Sequence, residues 1–219
     1  MKREIKSYVL RQGRTTPSQQ RALDELLPRL GIPFSTSVLN AKEVFSRTAP
    51  VVVEVGAGMG ETTAQIAHQN PSLDFIAIEV HGPGVGSLLR KIDELELRNL
   101  RVIRHDAVEV LENMIADGSL AGLHLFFPDP WPKKRHHKRR LVQPPFVTLT
   151  ARKLAPGGYF HAATDWPEYA VQIDEVFSSN SLFKKKSQER ENRPVTKFER
   201  RGIGLGHPVR DLLFLRRKE

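Results

Sequence analysis

The chain has 219 residues, a net charge of +9 at pH 7, a sequence pI near 10.0 and no cysteine. This length suits one well-buried α/β domain with a terminal extension, and the lack of cysteine excludes disulfides and thiolate chemistry. The charge favours nucleic acid over a membrane as partner, and without a signal-peptide pattern or long apolar stretch we expect a cytoplasmic protein.

Residues 1–34 are interpreted as a basic N-terminal arm, and residues 35–219 as the main domain. One helix is predicted in the arm. Ser18 is a suitable N-cap for it, and Gly31 and Pro33 would end it after Leu30.

From Val51 onward, short apolar runs alternate with segments of helical periodicity. The runs predict strands at residues 51–55, 74–80, 101–105 and 120–127, with helices at 61–69, 84–98 and 107–116 between them. Strands that alternate with helices imply right-handed crossovers and a parallel sheet. Further along, we predict a helix at 143–154, a strand at 159–164, a helix at 167–177, an irregular functional loop at 184–208 and a last strand at 209–216.

A glycine turn follows the first predicted strand, in the sequence VEVGAGMG at 53–60. Glycines at such a turn let a ligand approach backbone N–H groups closely. The dinucleotide fingerprint would place a third glycine at position 61, which is Glu61. In addition, Glu54 would repel a pyrophosphate but suits the ammonium or sulfonium of S-adenosylmethionine. The turn therefore favours S-adenosylmethionine over a nicotinamide dinucleotide, with Gly56 as a contact.

Acidic residues stand at the carboxyl ends of four successive predicted strands: Glu54, Glu79, Asp106 and Asp129. Open parallel sheets bind ligands at this edge. Glu79 is placed to accept both ribose hydroxyls, and Asp106 is placed to accept the adenine amino group. Each acid alone could instead be an N-cap or a solvated loop residue.

A proline-rich segment at 127–140, FPDPWPKKRHHKRR, joins an acid to six Lys or Arg in its last eight residues. Each proline fixes its own φ and favours extended geometry in the residue before it. Asp129 and Trp131 should therefore project from a stiff stretch beside a polyanion site. Trp131 either stacks on an extruded base or packs beneath the loop as an anchor. His136 and His137 lie in a cationic run that would repel a metal ion, so we expect no metal.

Together, VEVGAGMG and the motif PDPWPKKRH at 128–136 closely resemble the bacterial tRNA (guanine-N7)-methyltransferase family. Further similarity covers YVLRQGR at 8–14, ATD at 163–165 and TKFERRG at 196–202. The resemblance extends from about residue 6 to 216. It implies a Rossmann-like class I methyltransferase fold, a doubly wound and mostly parallel seven-stranded sheet with helices on both faces and an antiparallel last strand.

The same resemblance implies roles for individual residues. Asp129 is the implied catalytic residue, and it contacts S-adenosylmethionine together with Glu54, Gly56, Glu79 and Asp106. The implied substrate contacts are Lys133, Asp165, Thr196, Lys197, Phe198 and Glu199. The implied RNA contacts are Arg135, His136, His137, Lys138, Arg139 and Arg140.

The implied reaction is methylation of guanine N7 at position 46, in the variable loop of tRNA. The residues alone leave three other functions open. These are a methyltransferase that acts on another RNA position or on a small molecule, a non-catalytic RNA-binding module, and a nicotinamide-dependent oxidoreductase. We expect a monomer or homodimer that needs no other protein partner.

Overall fold

Seven strands form one sheet in the computed structural model, which describes residues 6–9, 13–186, 193–195, 199 and 208–218. The strands are β1 Val51–Val55, β2 Asp74–Ile78, β3 Leu100–Ile103, β4 Leu120–Phe126, β5 Leu154–Thr164, β6 Phe183–Lys185 and β7 Arg210–Arg216. Their order is β3-β2-β1-β4-β5-β7-β6. Strands β1 to β5 pair in parallel, and β7 is antiparallel to both of its neighbours. The predicted fold class, including its antiparallel last strand, is confirmed.

Eight α-helices lie in the described part of the chain. They are α1 Pro17–Glu25, α2 Leu27–Leu30, α3 Ala41–Phe45, α4 Glu61–Gln69, α5 Gly82–Glu94, α6 Ala107–Asn113, α7 Pro144–Lys153 and α8 Pro167–Ser178. A 3₁₀-helix, Lys134–Arg139, follows the proline-rich loop. Residues from α1, α2, α4 and α5 pack in one hydrophobic cluster, and residues from α3, α6, α7 and α8 pack in another. Side chains alternate between the two clusters along β1, as with Val52 and Val53, because successive residues of a strand face opposite ways.

The predicted arm helix differs from the observed one. Thr16, not Ser18, caps α1: its hydroxyl accepts the Gln19 N–H, and the Gln19 side chain accepts the Thr16 N–H in return. The helix also divides at Leu26, because Pro28 in the first turn of α2 lacks an N–H for a continuous helix.

Several other boundaries shift. Strand β2 ends at Ile78, two residues early, because the next N–H groups, those of Val80 and His81, donate to the Glu79 side chain and not to a neighbouring strand. Helix α6 ends at Asn113, and β5 begins earlier than predicted, at Leu154. Strand β6 overlaps the start of the predicted irregular loop, and α3 was not predicted.

The order in which the chain adds strands to the sheet reverses between β1 and β4, although the two strands are parallel. The sequence proceeds from β1 outward to β2 and β3, and then returns to β4 and β5 on the other side of β1. Open α/β sheets bind ligands outside the carboxyl ends of their strands at such a switch point. The fold therefore predicts a ligand site beside the ends of β1, β2 and β4.

Candidate functional site

A cavity of about 630 Å³ opens at this switch point. Residues that follow β1, β2, β3 and β4 line it, among them Gly56, Glu79, Asp106 and Asp129. Four of the five predicted cofactor contacts thus share one cavity. Glu54 lies beside it on β1, directly before the glycine turn.

Gly56 and Gly58 form the open part of the glycine turn. Both have positive φ, 74° and 56°, a conformation that L side chains rarely adopt. No atom lies within 4 Å of the position that a Cβ would take on either residue. The turn therefore leaves a space at the cavity edge in which a ligand can approach the backbone.

Glu54 is a buried acid, with only 3% of its surface exposed. By hydrogen-bond geometry its Oε2 has no partner among the described residues, although the Thr63 hydroxyl of α4 lies close enough to influence the carboxyl. Burial raises the pKa of Glu54 to about 7; Thr63 opposes this rise, and the nearby Glu79 adds to it. A buried acid with an unpartnered oxygen beside a ligand cavity suits a cationic ligand, which would favour the ionised form.

Glu79 follows β2 and fixes the shape of the cavity edge. Its Oε2 accepts the Gly58 N–H at 2.7 Å, and its Oε1 accepts the N–H groups of Val80 and His81 at 2.7 and 2.8 Å. These bonds join the glycine turn to the end of β2. The carboxylate still lines the cavity, where its remaining lone pairs can accept hydroxyl groups.

Asp106 caps α6 and also meets the N-terminal arm. Its Oδ1 accepts the Val108 N–H at 2.9 Å, and its Oδ2 lies 3.0 Å from Lys6 Nζ. Asp106 and burial together raise the pKa of Tyr8, with burial the larger cause. Ser7, Tyr8 and Val9 line the cavity, a role that the sequence analysis did not assign to the arm.

Asp129 is an exposed acid at the cavity, in the loop after β4. Its Oδ1 accepts the Trp131 N–H at 3.2 Å. Trp131 is buried: its Nε1 donates to the Ser7 carbonyl at 3.1 Å, and the Arg139 guanidinium lies 4.5 Å from the ring centre. Of its two predicted roles, the structure shows the anchor, which ties the Asp129 loop to the arm.

Asp165 follows β5, the strand beside β4, and is half-buried. The two strand ends are joined by the Phe127 N–H, which donates to the Ala163 carbonyl at 2.7 Å. Asp165 and Asp129 therefore stand at neighbouring strand ends, whereas Lys133 is exposed in the loop beyond.

The other predicted substrate contacts belong to the irregular loop predicted at 184–208, the late loop. Thr196, Lys197 and Phe198 are outside the described residues. Glu199 is buried, and its Oε2 accepts a hydrogen bond from Arg193 Nη1 at 2.9 Å. Arg193 also donates to both carboxylate oxygens of Asp211 on β7, at 2.7 and 2.8 Å. Arg193 thus joins this part of the chain to the sheet, and the Glu199 carboxylate supports the Arg193 guanidinium.

Five of the six predicted RNA contacts are exposed or half-buried, and the sixth is buried. Arg135 and Lys138 are exposed, and His136, His137 and Arg139 are half-buried. Partial desolvation is the main cause that lowers the pKa of His136, and the neighbouring cations lower it further. Arg140 differs from the rest because its side chain is only 2% exposed, so we leave it out of the RNA surface proposed below.

Within the ranges that the structure describes, no group of three or more His, Cys, Asp and Glu side chains is arranged to hold a metal ion. No helix in these same ranges has the length and apolar character needed to cross a bilayer.

The residues at the switch point fit S-adenosylmethionine. The glycine turn leaves space for it, Glu79 can accept hydroxyl groups, and the buried Glu54 has an oxygen left for a cation. Together with the open seven-stranded sheet, this site defines an S-adenosylmethionine-dependent methyltransferase of the class I fold.

Comparisons with known proteins define the family. A family model described as "Putative methyltransferase" matches residues 48–212. The chain is 56% identical to the tRNA (guanine-N(7)-)-methyltransferase of Chromobacterium violaceum, over 99% of this chain and 97% of that protein. It is 54% identical to the enzyme of the same name from Nitrosomonas europaea, over 97% and 96%. The chain belongs to the tRNA (guanine-N7)-methyltransferase family, and the predicted membership is confirmed.

Solved structures agree on the fold. The 16S rRNA methyltransferase KamB matches with a TM-score of 0.60 at 18% identity, over 83% of this chain and 95% of that chain. The aminoglycoside resistance methyltransferase NpmB1 matches with a TM-score of 0.56 at 15% identity, over 80% and 91%. At such low identity these similarities support the class I methyltransferase fold alone.

Proposed function

We propose that this protein transfers a methyl group from S-adenosylmethionine to N7 of guanine in tRNA. One observation carries the proposal: Asp129 lies at the switch-point cavity, in the same loop that leads into the exposed cations of residues 133–138. A methyl-donor site and an RNA-binding surface are thereby joined within a few residues. The names of relatives that are 54% and 56% identical supply the base and the ring nitrogen. Position 46 in the variable loop rests on the family resemblance.

Glu54, Gly56, Glu79 and Asp106 are the residues that would hold the cofactor. When bound, S-adenosylmethionine supplies a methyl group activated by its positively charged sulfur. The ionised form of Glu54 offers a negative charge beneath the glycine turn, and Glu79 offers acceptors for ribose hydroxyls.

Guanine N7 carries a free lone pair, so the protein needs no strong base to activate it. Its main tasks are to align the nucleophile with the methyl group and to stabilise the positive charge that appears on the purine. Asp129 serves the second task because its carboxylate is exposed at the cavity. Asp165, at the neighbouring strand end, is placed to accept hydrogen bonds from the guanine N–H groups.

Exposed cations beside this site hold the RNA backbone. Lys133, Lys134, Arg135 and Lys138 are exposed within or next to the 3₁₀-helix. Contacts of this kind give affinity with little sequence information. The logarithm of tRNA affinity should fall linearly with the logarithm of salt concentration, with a slope of roughly −0.7 to −0.9 per phosphate contact.

The test is transfer of labelled methyl from S-adenosylmethionine to unmodified tRNA by the purified chain alone. We expect 7-methylguanosine as the product nucleoside, which would also show that no protein partner is needed. Label in another nucleoside would keep the methyltransferase and overturn the choice of base. Binding of tRNA without transfer would favour a non-catalytic module. Because tRNA is the proposed substrate, we keep the cytoplasm as the proposed compartment.

A further inference from the structure

The buried guanidinium of Arg140 contacts the backbone of the Asp129 loop. Arg140 Nε donates to the Pro130 carbonyl at 2.7 Å, and only 2% of the Arg140 side chain is exposed. Pro130 is the residue directly after Asp129. A buried arginine therefore holds the peptide next to the proposed catalytic carboxylate.

Helix α8 holds the same guanidinium from the other side. Arg140 Nη1 donates to Gln172 Oε1 at 2.7 Å, and the guanidinium carbon lies 4.9 Å from the centre of the Tyr169 ring. Gln172 and Tyr169 are themselves fixed by the backbone of Val142, at 2.9 and 3.1 Å. Arg140 thus connects the loop to a buried, hydrogen-bonded face of α8.

The described residues give this guanidinium one carboxylate partner, and the distance to it is long. The Glu168 carboxylate is 3.9 Å away and its side chain is 70% exposed, so it contributes little. The donors of Arg140 go instead to a carbonyl, an amide and the His137 ring, whose Nε2 is 3.1 Å from Nη2. This is the arrangement of a positioning residue, since a phosphate contact needs an exposed guanidinium.

The Asp129 loop needs an external donor of this kind. Pro128, Pro130 and Pro132 have no N–H groups, so the loop cannot form a ladder of internal backbone hydrogen bonds. Trp131 also has a positive φ of 45°, a strained conformation for a bulky residue that the surroundings must hold in place. The bond from Arg140 to the Pro130 carbonyl fixes the peptide that joins the strained residue to Pro130.

We propose that Arg140 positions Asp129 for methyl transfer through the Pro130 carbonyl, and that it binds no RNA phosphate. This inference rests on the proposed function, because it assigns Arg140 a part in that reaction.

The experiment compares Arg140→Met with Arg135→Met, the same substitution at a buried and an exposed arginine. We measure the single-turnover rate at saturating cofactor and tRNA, and the salt dependence of tRNA binding. Arg140→Met should lower the rate on the order of 10- to 10²-fold, because small misplacements of catalytic groups have effects of this size. The same substitution should leave the salt slope of tRNA binding unchanged. Arg135→Met should reduce the salt slope by roughly 0.7 to 0.9.

Two further variants separate positioning from a general loss of folding. Arg140→Lys can still donate one hydrogen bond to the Pro130 carbonyl, so it should recover part of the rate. Gln172→Met keeps the arginine but removes its support on α8, and should lower the rate in the same direction by a smaller factor. Circular dichroism and the stoichiometry of cofactor binding give the folded fraction to which each rate is normalised.

A readout without catalysis completes the test. In a Trp166→Phe background Trp131 is the one remaining tryptophan of the chain, and its emission reports on the loop. Arg140→Met should shift that emission to longer wavelength, because a released loop exposes the ring. Wild-type rate and emission in folded Arg140→Met, or a reduced salt slope, would overturn the inference. If the unaltered chain transfers no methyl group, the proposed function fails, while the emission still tests the positioning of the loop.

Discussion

Replacement of Glu54 by Gln should change how the stability of the protein depends on pH. The carboxyl is 3% exposed, and burial raises its pKa from 4.5 to about 7 in the folded protein. In the unfolded chain the group ionises near its ordinary value. As pH rises from about 4.5 to 7 the unfolded state loses this proton before the folded state does, so folding stability falls across that window.

The magnitude follows from the size of the shift. One pKa unit corresponds to 1.36 kcal/mol, so a shift from 4.5 to about 7 amounts to about 3 kcal/mol at most. Relative to wild type, Glu54→Gln should therefore gain up to about 3 kcal/mol of unfolding free energy between pH 4.5 and pH 8. For a chain of this size, this corresponds to a change of roughly 6–12 °C in the Tm difference.

The assay is urea unfolding of both proteins at several pH values without cofactor, with Glu109→Gln as the control. Glu109 is a partly exposed acid whose pKa is lowered, first by its hydrogen bond with Lys6 and then by His105. Because this pKa lies below 4.5 in the folded protein, the loss of stability in Glu109→Gln should develop as pH rises towards about 4.5 and should not grow further between pH 4.5 and 8. A difference between wild type and Glu54→Gln that stays constant with pH would show that the pKa of Glu54 is not raised in the folded protein. Wild-type affinity for S-adenosylmethionine should also rise as pH passes through 7, and that of Glu54→Gln should not.

Three further predictions test the catalytic group, the RNA surface and the core. Asp129→Asn should lower the single-turnover rate on the order of 10²–10³-fold at saturating cofactor and tRNA, and a rate near wild type would remove its electrostatic role. Lys134→Gln should weaken the binding of different tRNA species by similar factors and reduce the salt slope by roughly 0.7 to 0.9, whereas an unchanged slope would exclude a phosphate contact. Phe177→Ala should reduce the unfolding free energy by about 3–5 kcal/mol in urea titrations, because the Phe177 ring is fully buried. Its centre lies 4.1 Å from that of the Phe160 ring and 4.8 Å from that of the Phe214 ring, and both pairs are stacked. A loss below about 1 kcal/mol would contradict this packing.

Much of the sheet could be predicted because buried parallel strands are contiguous apolar runs. Val51–Val55 and its neighbours have that form, and the acids that follow them mark the edge where ligands bind. Strand β6 could not be found in this way, since two of its three residues are exposed lysines. Only its pairing with β7 makes it a strand.

The positions of the acids at the switch-point edge could be predicted from the sequence, but the residues that hold those acids in place could not. Glu54 could be selected from its place before the glycine turn, and strand alternation puts it on the same side as Val52, away from Val53 and Val55. Its burial involves residues outside the strand, such as Thr63 of α4, whose position a sequence pattern does not show. In the basic run, Arg140 looks like its neighbours, and its different role comes from Gln172, 32 residues away in the chain.

The arm was predicted as an extension outside the main domain, and nothing in its composition indicated contact with the cofactor cavity. Ser7 accepts the Trp131 indole N–H across 124 residues of sequence separation. Such a contact joins two irregular segments, where no periodicity is available to predict it.

We propose that the switch-point edge directs methyl transfer onto N7 of one guanine. We would assay the purified chain on a tRNA that carries 7-deazaguanosine at position 46, with the unsubstituted transcript as control. The substituted base lacks the nucleophilic nitrogen and changes little else. We predict that the altered tRNA binds with unchanged affinity and accepts no methyl group, whereas the control yields 7-methylguanosine. Equal methylation of both transcripts would contradict the assigned position and atom.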